Sequence, residues 1–177
     1  MGNFCKAVVK LYPDKPLFVL GNGSGGLLAT HMATVYKKEI KFAGLILPGC
    51  SFKRPGNSKF FAKVGDFALK MMPNRTGLFE LTFLNVCKNK AVSNYLIKDP
   101  LIYHGKIYVG NLMQFMEVME EIKEDHWAKY ETPPLLIIQG ECDKVADPQN
   151  AINFYEKTPT KDKELWYYKK LWNMFMF

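Results

Sequence analysis

Residues 17–33 read LFVLGNGSGGLLATHMA, from Leu17 to Ala33. Four apolar residues enter a turn in which four of six positions are glycine, and small and apolar residues leave it. A wholly apolar run this short is a buried strand. Gly21–Gly26 is then the turn, and Leu27–Lys38 has the pattern of a helix. Strand, glycine turn and helix together admit three chemistries. Gly21, Gly23 and Gly26 satisfy G-x-G-x-x-G, in which backbone N–H groups cradle a pyrophosphate at a helix N-terminus. That motif calls for an acid roughly 20 residues on, at the end of the next strand. Here that strand ends Leu47-Pro48-Gly49-Cys50, and Glu39 comes too early. The second chemistry is a nucleophile elbow, a sharp turn whose strained residue attacks while the next N–H and the helix behind it stabilise an oxyanion. The third is an elbow that keeps its scaffold and has lost its nucleophile.

Working outward, residues 3–12 carry Phe4, Ala7, Val8 and Leu11 at helical spacing, and Pro13 and Pro16 end that helix. AGLIL (Ala43–Leu47) and LLIIQ (Leu135–Gln139) are further buried strands. Ala151–Glu156 starts a helix, and Leu165–Tyr168 is a fourth strand. From 51 to 130 only loop and helix are expected. FFAKVGDFALKMM (60–72) is one amphipathic helix. YVGNLMQFMEVMEEIKEDHW (108–127) is another, with Leu112, Phe115, Met116, Val118, Met119 and Ile122 on its apolar side. Alternating strands and helices make a parallel sheet with right-handed crossovers. The expectation is an α/β core from 1–50 and 131–177, with a helical insertion over 51–130.

The chain of 177 residues is long enough for one core. Its net charge of +7 is uneven: residues 1–80 hold 12 Lys/Arg against 4 Asp/Glu, and the remainder is close to balance. Single scattered charges of this kind read as a solvated surface, so no nucleic-acid partner is expected. Cys5, Cys50, Cys87 and Cys142 are far apart, without metal-ligand spacing or a disulfide framework. No metal is expected, and a reducing, cytoplasmic compartment is. No stretch has the length of a membrane span, and MGNFCKAVVK lacks the apolar segment of a signal peptide. Lys6 stands where a myristoylation signal needs Ser or Thr.

At the glycine turn the chain resembles the α/β-hydrolase superfamily, and within it the monoacylglycerol lipase and lysophospholipase group, which is classed with serine aminopeptidase-like hydrolases. That group reads G-H-S-M-G-G where this chain reads GNGSGG. The resemblance continues through YPDKPLFVLG, AGLIL, KDPLIYHGKI and PPLLIIQGECDKVADP, in the family's order. It implies a partial α/β-hydrolase fold with about four parallel strands, flanking helices and a helical cap or lid over 51–130. It covers the later part of the family's domain, without the first strands and the early loop that completes the oxyanion hole. It implies hydrolysis of an ester or lipid by a serine nucleophile, with no cofactor.

Carried over by position, the nucleophile falls on Gly23, framed by Gly21, Gly25 and Gly26, with Ser24 one step late. Ser24 serves only if the turn is re-registered by one residue. The acid falls on Asp143, with Asp147 as a nearby alternative, and the histidine falls on Asn173. A serine hydroxyl needs a base to take its proton, and an asparagine cannot shuttle one near pH 7. The chain's three histidines, His31, His104 and His126, all precede the fourth strand. Each reads as a helix or loop residue rather than a replacement base.

Phe60, Phe61, Phe67, Met71 and Met72, with Met113, Phe115, Met116 and Met119, suit either an acyl-chain groove or a cap packing on its own domain. Glu117, Glu120, Glu121, Glu124 and Asp125 read as a solvated helix face. Without further strands, LFVL becomes a sheet edge, and Trp166, Trp172, Phe175 and Phe177 lose cover; such an edge invites a partner chain. The resulting expectation is a lipase-like hydrolase homologue, truncated and catalytically impaired, taking a lipid or acyl ester if active and touching membranes at their periphery. The rival is a non-catalytic structural or lipid-binding unit that needs a partner chain.

Overall fold

The computed structural model describes residues 1–52, 76–80 and 87–172. Along the chain run α1 (Gly2–Leu11), β1 (Leu17–Leu20), α2 (Ser24–Val35), β2 (Phe42–Pro48), β3 (Thr76–Glu80), α3 (Lys90–Lys98), β4 (Lys106–Tyr108) and α4 (Val109–Glu121). A 3₁₀ turn (Glu124–Lys129), β5 (Leu135–Gly140), α5 (Pro148–Lys157) and β6 (Lys163–Tyr168) follow. Four strands form one sheet in the order β1-β2-β5-β6, every pair parallel. These are the four apolar runs read from the sequence; β1 has the same bounds, and the other three are extended by one or two residues at one or both ends.

One face of the sheet is the core. Val19, Leu45, Leu47, Leu135, Ile137 and Leu165 point to it and meet Leu27 and Met32 of α2, Met119 of α4, and Ala151 and Phe154 of α5. The opposite face carries Phe18, Leu20, Ile46, Leu136, Ile138, Trp166 and Tyr168. Its outer strands are open: Phe18 is 56 % exposed, Leu20 55 % and Trp166 46 %. Parallel strands normally have both faces covered. Among the described residues this sheet has one covered face.

α1 turns the side opposite to the expected one toward the core. Phe4 and Leu11 are exposed, while Cys5 and Val9 join the core and Cys5 Sγ lies 3.6 Å from Met32 Sδ. Gly2 explains the choice, because a Cβ there would run into the Tyr36 ring. The helix can therefore lie flat on α2 only with the glycine side inward.

The interval 51–130 departs from the expectation of loop and helix alone. β3 and β4 pair antiparallel, Thr76 opposite Tyr108 and Glu80 opposite Lys106. A three-residue strand shows no periodicity for a sequence reader to find. The long helix expected at 108–127 is also two elements. α4 stops at Glu121 and the 3₁₀ turn begins at Glu124. Trp127 makes the break, since its Nε1–H donates to the Ile122 carbonyl at 2.7 Å and its ring is fully buried. Of the Phe/Met set, Met119 is buried and Phe115 packs on the core. Phe60, Phe61, Phe67, Met71 and Met72 lie outside the described residues, as do Asn173, Phe175 and Phe177.

All four cysteines are free; Cys5, Cys50 and Cys87 are buried and Cys142 is exposed. Burial pushes the Cys50 thiol well above its ordinary value of 9.0. Iodoacetamide is therefore expected to label Cys142 in the folded chain, and the other three only after denaturation, as peptide mapping would show. The same burial has a stability consequence. Above about pH 9 the unfolded thiol ionises and the folded one does not, so the unfolded state gains. Stability contributed by Cys50 is full below 9.0 and falls as pH rises toward the folded value. Urea midpoints at about pH 8 and about pH 10 are expected to differ less for Cys50→Ala than for the native chain.

Candidate active site

In a parallel sheet the loops at the C-terminal ends of the strands share one edge, where ligands of open α/β sheets bind. The β1–α2 turn, the loop after β5 and the segment after β6 all lie there. β1 and β5 are separated only by β2, so their ends are about 10 Å apart, two strand spacings.

The β1–α2 turn is closely held. The Gly21 N–H donates to the Ile46 carbonyl at 2.9 Å and the Gly23 N–H to the Pro48 carbonyl at 3.2 Å, fastening the turn to the end of β2. The Gly25 N–H donates to the Asn22 carbonyl at 2.8 Å as the helix begins. The backbone is strained at one residue: Gly23 has φ 56° and ψ −120°, a region open almost only to glycine. Ser24 is already the first residue of α2 and is exposed. The turn thus bends at 23. Among the described residues, and apart from Gly23's own chain neighbours, nothing lies within 4 Å of the point where a Gly23 Cβ would sit.

Alanine substitutions separate the reasons for these glycines. At Gly21 a Cβ would meet the Gly25 carbonyl carbon and Gly26 Cα, each at 2.7 Å, and backbone cannot step aside. Gly21→Ala is expected to cost about 3 kcal/mol or more. Gly23→Ala meets no atom and costs only the strained φ, about 1–3 kcal/mol. Gly25 is helical with open space around it, so Gly25→Ala is expected to be neutral or to stabilise by about 0.5–1 kcal/mol. Denaturation midpoints in that order would check the turn's geometry.

Asp143 sits on the loop after β5. Its Oδ1 accepts the Val145 and Ala146 N–H groups at 2.8 and 2.9 Å, and its Oδ2 accepts Gln139 Nε2 at 3.0 Å. Asp147 has a different task. It caps α5, taking the Gln149 N–H at 3.0 Å in front of Pro148. Of the two acids, Asp143 is the one at the loop's head. Gln139 is wholly buried and supplies a signal the sequence did not give: its Nε2 orients Asp143 while its Oε1 is buried without a partner.

The segment after β6 folds back over this loop. The Cys142 N–H donates to the Leu171 carbonyl at 2.9 Å, and the Glu141 N–H to the Tyr168 carbonyl at 3.0 Å. Lys170, at φ 64°, makes the reversal, and Lys144 Nζ stands 4.1 Å over the Trp172 ring. The chain leading to Asn173 is thereby brought against the Asp143 loop, although Asn173 itself lies outside the described residues.

The histidines are held on other elements. His31 Nδ1 lies 3.3 Å from Glu121 Oε2, near enough to pair if protonated but out of line for a hydrogen bond. His104 Nε2 is 3.0 Å from the Asp99 carbonyl, and His126 Nδ1 is 2.9 Å from the Glu121 carbonyl. Glu120 and Glu124 pair with Lys123 and Lys157 at 2.6 and 2.5 Å, as a solvated face does. Among the described residues no group of three His, Cys, Asp or Glu could hold a metal ion, and no helix is long and apolar enough to cross a membrane.

Comparison with known proteins shows what the chain is similar to. The chain is 25 % identical to the monoglyceride lipase of Rattus norvegicus over 163 residues, which is 92 % of this chain and 52 % of the rat protein. It is 31 % identical over 165 residues to an uncharacterised abhydrolase domain-containing protein of Dictyostelium discoideum, covering 17 % of it. The crystal structure of Paleococcus ferrophilus monoacylglycerol lipase superposes with a TM-score of 0.79 at 20 % identity, over 97 % of this chain and 65 % of that one. A soluble variant of Saccharomyces cerevisiae monoglyceride lipase, in complex with a substrate analogue, gives 0.76 at 21 %, over 96 % and 61 %. The chain therefore spans about half the length of the rat lipase it matches. The fold is that of the α/β-hydrolases, and the family pattern extends over residues 1–177: the chain belongs to the hydrolase family described as serine aminopeptidase, S33.

Proposed function

We propose that this chain is a monoacylglycerol-lipase-type unit that keeps the ester-binding edge of the fold without running its chemistry. One observation carries the reading. The residue at the bend of the elbow is Gly23, and Ser24 stands one step along α2, rotated by about 100° around the helix. A glycine has no oxygen with which to attack a carbonyl. The resemblance carries the family's histidine to Asn173, which cannot take a proton near pH 7. The relatives' names, monoglyceride lipase among them, favour an acyl glycerol or similar ester as the ligand class. Asp143 would be the acid of the triad. The helix-bearing segment between β2 and β5 would be the cap. The four free cysteines suit a reducing, cytoplasmic location.

The test is direct. The native chain is expected to release no glycerol from monooleoylglycerol and to take no fluorophosphonate label, and Ser24→Ala is expected to change neither. Labelling of the native chain that disappears in Ser24→Ala would overturn the reading, because the turn would then react in the shifted register.

The exposed face of the sheet favours a second role, as a structural unit whose open β1 edge pairs with another polypeptide. Alone, the chain is expected to self-associate in sedimentation, and Phe18→Lys with Leu20→Lys to return it toward a monomer. A native chain that is already monodisperse would count against this role.

A further inference from the structure

Helix α1 has two apolar sides, and among the described residues the fold covers one of them. The inward side is Gly2, Cys5 and Val9, at i, i+3 and i+7, with Gly2 and Cys5 buried and Val9 packed on the core. The second is Phe4, Ala7, Val8 and Leu11, at i, i+3, i+4 and i+7. It is centred about 140° further round the helix, at about 100° per residue. Phe4 is 73 % exposed and Leu11 72 %. Ala7 is exposed as well and Val8 is half-buried. Met1 and Tyr12 flank the stripe and are also exposed. The lysines keep off this side. Lys6 and Lys10 share the remaining arc with Asn3. Lys6 pairs with Glu39 and stands 5.0 Å over the Tyr36 ring. The helix holds no acid. An uncharged apolar stripe on a folded surface, spaced as the seam of a coiled coil, is built to meet another helix.

We propose that α1 pairs antiparallel with α1 of a second copy of this chain, about a two-fold axis between Ala7 and Val8. Self-complementarity selects the occupant. Reversal about that point exchanges Phe4 with Leu11 and Ala7 with Val8. Each large side chain then meets a large one at the ends, and smaller ones meet in the middle, where the helix axes approach. Antiparallel packing also sets the positive end of each helix beside the negative end of the other. A different protein would gain nothing from charge here, because the seam carries none. An anionic leaflet would meet lysines on one flank only, and Lys6 on that flank is already paired. The helix has 10 residues, a length of about 15 Å. So short a seam lies below the roughly 1,200 Å² of standard interfaces, and the dimer dissociates at concentrations on the order of 10 µM. The pairing rests on neither the catalytic reading nor the β1 edge.

Sedimentation of the full chain carrying Phe18→Lys and Leu20→Lys, which removes pairing at the β1 edge, tests it. That chain is expected to pass from monomer to dimer between about 1 and about 100 µM. In the same background Phe4→Glu and Leu11→Lys, made separately, each place two charges in the seam of a dimer. Each is expected to weaken association about 100-fold or more. An equimolar mixture of these two variants is expected to recover about tenfold of that loss. The mixed dimer keeps one native end and sets the introduced carboxylate against the introduced ammonium at the other. The substituted side chains are exposed, so the variants should keep the native circular dichroism spectrum. A pair that loses it is replaced by Ala7→Glu and Val8→Lys, which also face each other across the axis. A chain still monomeric at about 100 µM, a dimer that survives both single substitutions, or a mixture no tighter than either variant overturns the proposal. So does a monomer that binds phosphatidylserine vesicles and loses them in Phe4→Glu, which would give the stripe to a lipid surface instead.

Discussion

Trp127→Ala is expected to remove a large part of the chain's stability, about 3–5 kcal/mol from a domain whose total is about 5–15 kcal/mol. The indole is wholly buried. It meets Phe154 edge-on at 5.5 Å and Phe52 at 6.1 Å, while Phe52 and Phe154 stack at 4.1 Å. Phe52 follows β2, Trp127 precedes β5, and Phe154 lies on α5. The cluster therefore joins the two ends of the interval between β2 and β5 to α5 and the core. Alanine would open a cavity among three elements and leave the Ile122 carbonyl, now bonded to Nε1 at 2.7 Å, without its donor. Trp127→Phe keeps most of the apolar volume and loses only that bond, so a smaller cost of about 1–2 kcal/mol is expected. Chemical denaturation with near-ultraviolet circular dichroism would resolve the two. An alanine variant as stable as the native chain would mean that the interval is not anchored here.

Gly23→Ser is expected to have the largest chemical effect. Among the described residues, no atom beyond Gly23's own chain neighbours lies within 4 Å of the Cβ position, so a serine side chain has room there. Its cost is backbone strain, about 1–3 kcal/mol. In a dissected serine protease, removing the nucleophile lowered turnover about a million-fold, or about 8 kcal/mol of barrier. That is the upper limit on what the serine returns here. Without a base the hydroxyl stays a weak nucleophile, so the expected result is slow fluorophosphonate labelling of Gly23→Ser, far below that of an intact triad and absent from both the native chain and Gly23→Ala. Ester turnover should stay far lower than labelling suggests, because no base has been restored. Labelling of Gly23→Ser that vanishes when Ser24→Ala is added would show that the reactive seat is 24.

The sheet was legible because each of its strands is an apolar run bounded by proline, glycine or acids. Pro16 before Leu17 and Pro134 before Leu135 mark two of the starts. The β3–β4 ladder was hidden because its pairing is non-local and β4 has only three residues. The break after Glu121 was hidden because apolar spacing continues through Ile122, and only the buried Trp127 bond shows why the helix stops. The letters at the elbow gave both candidate positions, 23 and 24. Their difference is one dihedral angle, which composition does not encode. Likewise Asp143 and Asp147 are equivalent as letters and differ in which N–H groups they meet. Nothing in YYKKLWN announced the reversal at Lys170 that lays this segment over the acid loop.

The open sheet face bears on the lifetime of the chain in a cell. Among the described residues, the side of the sheet away from α2 and α5 leaves Phe18, Leu20 and Trp166 exposed, and β1 and β6 each pair along one edge, the kind of surface that a late folding intermediate presents. Quality control reads such surfaces, so wherever this side is left uncovered its occupancy, rather than the speed at which the core forms, would set abundance. Substitutions at Phe18, Leu20 or Trp166, away from the core, would then change how much protein persists without altering how the core is built.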